Sequence, residues 1–217
     1  MAGTVSTQRW DPVVRPPADP PGPPRIDERA LAEPSGWARP RVVELGPGVD
    51  LFAGDVERAL IERVVAAVAA TPQHAYLLRT TRAKRLLALG NDGLALPRNL
   101  WPGVVVESDD QVWRAEDLLR CNTARAWVAA DPLRGPLPSL PVGMLAWLVV
   151  AVPDGPEVDA GPELEWVRDL RDRCVDAGVP FRFEARRADG SVAARSLDGR
   201  VWAEIPAALA DRADRPG

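Results

Sequence analysis

The chain has 217 residues, a hydrophobic fraction of 46% and a formal net charge of −4, with a pI near 5.2. That length supports an α/β domain with a sizeable core, and the acidic balance excludes a global basic footprint for nucleic acid, leaving open only a local basic patch. Two cysteines far apart, Cys121 and Cys174, exclude a disulfide framework and a zinc-type spacing and fit a reducing, intracellular setting.

From the N-terminus, Met1 to Arg9 lacks the apolar run of a signal peptide. The longest apolar run, Met144 to Val152, is too short to span a bilayer. The expectation is a soluble cytoplasmic protein with no membrane partner. Residues Arg15 to Arg25 read RPPADPPGPPR. Proline fixes φ and removes a donor, so this stretch is expected to be extended linker rather than helix or central strand. Residues 1–36 are therefore set apart as an irregular N-terminal segment, 37–206 as the folded domain and 207–217 as a fraying tail.

Within the domain, short apolar runs alternate with helical patterns. Strands are predicted at Arg41–Leu45, Ala75–Arg79, Val104–Glu107, Ala126–Ala129, Trp147–Ala151 and Phe181–Glu184. Their continuous apolar character suits a parallel sheet buried on both faces. Helices are predicted at Val56–Ala70 (capped by Asp55), Arg82–Leu89 (stopped by Gly90), Gln111–Arg120 (capped by Asp109 or Asp110) and Glu163–Ala177 (stopped by Gly178). The last of these turns Leu164, Val167, Leu170, Cys174 and Val175 inward. This alternation predicts a parallel α/β fold. A barrel and an open doubly wound sheet fit the periodicity equally well. Neither GxGxxG nor GxxxxGK[ST] occurs.

Positive charge is carried almost wholly by arginine, with Lys84 the only lysine. Arginine forks suit phosphate and carboxylate, and the same bias is a mark of a GC-rich genome. His74 is the only histidine; without a GxSxG elbow beside it, a loop or capping role is expected. Of the tryptophans, Trp127, Trp147 and Trp166 are expected to pack in the core. Trp37, Trp101 and Trp113 are alternatives for a mouth or a base-stacking surface.

Several strings together resemble a known family. These are Asp50-Leu51-Phe52, Thr71-Pro72-Gln73-His74, Leu78-Arg79-Thr80-Thr81-Arg82 with Arg85-Leu86, Asn99-Leu100-Trp101-Pro102-Gly103-Val104 with Val106-Glu107, and Asp131-Pro132-Leu133-Arg134-Gly135-Pro136. Trp166 to Cys174, Ala177 to Phe183 and Leu197 to Trp202 continue the series to Ile205-Pro206. The resemblance, over about Trp37 to Pro206, is to the phage-protein family with an N-terminal three-cysteine motif. That family is a domain of unknown function distantly similar to radical-SAM barrels such as spore photoproduct lyase. It implies a partial TIM-like (β/α) barrel of about six parallel strands, with an iron–sulfur cluster and S-adenosylmethionine as cofactors.

The ligands for those cofactors are missing here. Trp10-Asp11-Pro12-Val13 resembles the start of the cysteine motif, but no cysteine precedes Cys121, and a cluster of this kind needs closely spaced thiolates on one loop. Cys174 falls on a late helix, where a buried structural thiol is expected. Ala151-Val152-Pro153-Asp154-Gly155 stands where the family has a glycine-rich segment, Glu184 or its neighbour where it has a lysine, and Thr81 where it has another.

In barrel-like folds function sits at the C-terminal ends of strands. Glu44, Arg79, Thr80, Arg82, Glu107, Asp131, Asp154 and Glu184 fall there. Glu107, Asp131 and Arg82 are the candidate catalytic residues, since converging carboxylates bind divalent cations or do acid–base work. Against this, Glu107 paired with Arg82 would only hold two strands in place, and Asp131 before Pro132 would only start a turn. Three functions follow as expectations. The first is a degenerate, non-catalytic homologue that binds a protein partner or a cluster-containing relative. The second is an enzyme of non-radical chemistry using Glu107, Asp131 and Arg82. The third is a nucleic-acid-binding module.

Overall fold

The computed structural model describes residues 7–10, 14–15, 24–45, 50–121, 123–155, 162–187 and 191–213. Contacts divide the chain into two compact units, one formed by Val5–Pro102 with Ala207–Gly217 and the other built on Gly103–Pro206. Residues 16–23, the body of the proline-rich stretch, lie outside the described residues. The flanks of that stretch, β2 (Val14–Arg15) and β3 (Arg25–Ile26), pair antiparallel.

In the first unit, β1 (Thr7–Trp10), β4 (Val42–Leu45), β5 (Ala75–Thr80) and β6 (Leu100–Val105, of which Leu100–Pro102 belong here) lie in that order. β1 runs parallel to β4, with Trp10 opposite Leu45. This strand falls in the segment expected to be irregular. The Trp10 indole supplies the reason it forms: the ring is buried and donates to the Ala30 carbonyl (2.6 Å) in α1 (Glu28–Ala32).

The main helix of this unit, α2 (Arg58–Ala70), turns Ile61, Val64, Val65 and Val68 inward, as the 3.6-residue period requires. It starts two residues later than expected, and Glu57 rather than Asp55 stands at its N-cap, without a side-chain bond. The cause is a tight turn over 50–56, in which Ala53 N–H donates to the Asp50 carbonyl and Val56 N–H to that of Ala53. At the other end, the buried Asn99 amide donates to the Val68 (2.7 Å) and Thr71 (3.1 Å) carbonyls, satisfying groups a helix terminus leaves open. α3 (Ala83–Asn91) runs through Gly90 and ends at Asp92. The residue that stops it is Gly93, at φ +94°, the left-handed conformation glycine takes without strain. Ala207–Ala213 form α6, with Leu209 buried; residues 214–217 of the expected tail lie outside the described residues.

The second unit orders β6 (Gly103–Val105), β7 (Trp127–Ala130), β8 (Trp147–Pro153), β9 (Phe181–Arg186) and β10 (Val192–Ala194). The pairs from β6 to β9 are parallel and β10 is antiparallel. A short hairpin follows, β11 (Ser196–Leu197) with β12 (Arg200–Val201). All six predicted strands are present, so the mixed, mostly parallel α/β class stands. β7 and β8 are buried along almost their whole length, as strands covered on both faces must be.

α4 (Trp113–Arg120) follows a single 3-10 turn at Asp109–Gln111. Neither aspartate caps it with a side chain; Asp109 instead accepts from the Ser139 N–H (3.0 Å) and hydroxyl (2.8 Å). α5 (Glu163–Ala177) has the predicted bounds. Acidic residues in its first turn suit the helix dipole, and Gly178, at φ +66°, closes it. Val175 is 56% exposed rather than inward. It follows Cys174 and so lies off the stripe of Val167, Leu170 and Cys174 that is buried.

Candidate functional site

At the C-terminal strand ends of the second unit, acids and arginines alternate. Glu107, just past β6, takes an ion pair from Arg134 Nε (3.0 Å), and its carbonyl accepts the Arg134 N–H (2.8 Å). Asp131, just past β7, is gripped by the fork of Arg186 at the end of β9, through Nε (2.7 Å) and Nη2. Only 8% of the Asp131 side chain is exposed, against 32% of that of Arg186. The Asp131–Pro132 peptide is cis. Asp154 follows β8; its N–H donates to the Arg186 carbonyl (2.8 Å) and its carboxylate lies 3.7 Å from Arg187 Nε. Glu184, within β9, pairs with Arg182 on the same strand.

The two residues that a Glu107–Arg82 pair would have joined belong to different units. Glu107 takes Arg134, from its own unit, while Arg82 has an exposed side chain and its N–H donates to Thr80 Oγ1 (2.9 Å). The sequence carried a signal for Arg134, which lies in the Asp131-Pro132-Leu133-Arg134 string. It carried none for Arg186, which is 55 residues from Asp131.

In the first unit, Glu44 on β4 pairs with Arg79 on β5 (2.6 Å). Asp50 does more, though sequence reading left it off the candidate set. Its carboxylate accepts from Phe52 N–H (2.9 Å), Thr80 Oγ1 (2.7 Å), Thr81 N–H (3.0 Å) and Thr81 Oγ1 (3.3 Å). Arg85 on α3 donates to the Ala53 and Val56 carbonyls of the same turn. The strings Asp50-Leu51-Phe52 and Thr80 to Arg85 thus meet: one supplies a turn, the other the donors that hold it.

The aromatic expectations divide. Trp101, Trp127 and Trp147 are buried, the last two with ring centroids 5.5 Å apart. Trp166 is half-buried. Trp37 packs edge-on against His74 and under Arg41, and Trp113 is 37% exposed. His74 is fully buried, with Nε2 3.0 Å from the Pro34 carbonyl.

The donor set does not fit a thiolate-bound cluster. Cys121 lies at the C-cap of α4 with Sγ donating to the Asp117 carbonyl (3.4 Å). Cys174 is buried in α5, as expected of a structural thiol. Burial pushes the Cys121 thiol up to about 11 and the Cys174 thiol up to about 12, so both are protonated at neutral pH; the two lie on different helices, whereas a cluster needs closely spaced thiolates. Among the described residues, no group of three or more His, Cys, Asp or Glu is placed to hold a metal ion. A colorimetric thiol assay at pH 7.5 is expected to find Cys174 inert until denaturant is added and Cys121 slow; rapid modification of Cys174 in native protein would show that its helix face is open.

A family match accompanies this geometry. The chain belongs to the family described as protein of unknown function (DUF5131), whose sequence model matches residues 14–206. The match ends at Pro206, where the resemblance in the sequence also ended, and begins well before Trp37. Comparisons with curated proteins and with solved structures returned no match. No helix among the described residues is long and apolar enough to cross a membrane.

Proposed function

We propose that this protein is a non-catalytic member of its family. In this reading a radical-SAM-like scaffold, a partial TIM-like barrel, is kept for binding a protein partner or a cluster-bearing relative. The observation that carries the reading is the pairing of both candidate carboxylates with arginine, Asp131 with the fork of Arg186 and Glu107 with Arg134 Nε. A carboxylate paired with an arginine has its charge balanced and its ionised form favoured, which suits a rigid rim better than proton transfer. The two widely separated cysteines, on different helices, support the same reading on the cofactor side. β8 adds to it: Ala151 and Val152 are buried and paired with β9, so the strand that precedes the family's glycine-rich segment here continues to Pro153 without glycine.

Isothermal calorimetry with S-adenosylmethionine tests this. The expected result is no saturable heat. Saturable binding, weakened by Asp131→Asn or Glu107→Gln, would return these residues to a working pocket and favour an enzyme.

A further inference from the structure

The imidazole of His74 is a buried titratable ring that closes contacts between distant parts of the first unit. It precedes β5 and is fully buried. Its Nε2 lies 3.0 Å from the Pro34 carbonyl; a carbonyl only accepts, so Nε2 carries the hydrogen. Nδ1 is then a lone-pair acceptor, and it is buried with no hydrogen-bond partner.

Among the described residues, groups from several elements face the ring besides Pro34. The Gln73 amide lies 3.2 Å from Nε2. The Trp37 ring sits edge-on at 5.3 Å and the Tyr76 ring, from β5, at 6.2 Å. Tyr76 OH is occupied by Thr71 Oγ1 (2.6 Å). The charged groups acting on His74 are both cations, Arg41 before β4 and Arg212 in α6. No carboxylate is among them.

Among the described residues, the segment Asp27–Trp37 is fastened to the rest of the unit at named points. Ala30 and Pro34 are its buried residues. Arg63 on α2 pairs with Glu28 (2.6 Å) in an exposed bridge, which contributes little. The Trp10 indole on β1 donates to the Ala30 carbonyl, and His74 holds the Pro34 carbonyl. β1 is an end strand of its sheet.

From this we propose that His74 is an acid-operated latch: a proton on Nδ1 releases Asp27–Trp37 and, through the Trp10–Ala30 bond, loosens edge strand β1. A second N–H on the ring would be a buried donor without an acceptor, on a cation facing Arg41 and Arg212. Both costs disappear when the segment lifts and water reaches the ring. Burial is also the main reason the imidazole is held below its ordinary value, with the two arginines adding to it and the Pro34 bond opposing. The sign follows. The open form takes up a proton near the ordinary value of about 6.5, while the closed form resists it. The latch is therefore fully closed above that pH and opens as the pH falls below it. In the window between the two values, one proton is bound per opening, and the opening constant rises about tenfold per pH unit.

Hydrogen exchange resolved by segment, corrected for intrinsic rates, tests this on the full chain between pH 7.5 and pH 5. The expected result is a loss of protection over 28–37 and 7–10 as the pH falls, with β4 and β5 unchanged. In His74→Gln, which titrates nothing at this position, the slope should vanish. Should that variant not fold, the single imidazole resonance of the wild type decides, since the chain has one histidine: its chemical shift must begin to move at the pH where exchange rises. Flat exchange in the wild type, simultaneous opening of β4 and β5, a slope that persists in His74→Gln, or a resonance that titrates independently of exchange would each overturn the latch.

Discussion

Gly103→Ala is expected to lower the urea midpoint by the equivalent of about 3 kcal/mol, at the upper end of what overpacking a core costs. A Cβ on Gly103 would lie 2.3 Å from Trp127 Cε2 and 2.5 Å from Trp127 Nε1. Gly103 sits in β6 and pairs in register with Trp127 on β7, so the indole lies across the backbone of its own partner residue. The ring has little room to retreat, because it is buried and its neighbour is the Trp147 ring. The glycine is therefore required by the tryptophan, not by a turn. Combining Gly103→Ala with Trp127→Leu should cost less than the two single changes added, since the smaller side chain removes the clash. Strict additivity in that cycle would mean that the two residues do not meet.

Asp131→Ala is expected to destabilise by about 3 kcal/mol, the lower end of the range for breaking a buried pair from one side. The reasoning turns on what remains. Asp131 is nearly buried while a third of Arg186 reaches solvent, so the orphaned guanidinium can be partly hydrated and the loss falls short of the deep-interior limit. The Asp131→Asn variant keeps the shape and part of the bonding and should lose less. Glu107→Gln, at a pair whose arginine is 65% exposed, should change the midpoint by about 1 kcal/mol or less. Chemical denaturation of the three variants under one buffer gives the order. Equal losses at the two sites would show that burial does not set the worth of these pairs.

The same two residues show how far the sequence could be read. All six central strands were legible, because β4 to β9 are apolar runs bounded by turn residues, and α5 was legible to the residue, because Gly178 terminates it. β1, β10, β11 and β12 were not, since β1 is mostly polar and the others are only two or three residues long, and they exist through their register with neighbours. α6 was missed because Leu209 is its one buried anchor in a polar, alanine-rich stretch. Of the candidate site, the positions of Glu107 and Asp131 at strand ends were legible, and their partners were not. Arg134 is 27 residues from Glu107 and Arg186 is 55 from Asp131, and which arginine arrives is decided by sheet order. Arg82 was the nearest plausible partner in pattern and is tied to the Asp50–Thr80 turn of the other unit instead. Asp50 stood in a string that signalled the family, and its role as a four-bond acceptor became visible only when the turn was closed.

The central proposal is that this chain is a non-catalytic α/β member of its family that holds no thiolate-bound cluster. Anaerobic purification with iron and sulfide supplied, followed by iron determination and a visible absorption spectrum, tests it most directly. The account predicts iron far below one per chain and no charge-transfer band. Stoichiometric iron with such a band would contradict it, and would mean that cluster ligands arrive from a second chain or from residues other than a closely spaced cysteine loop.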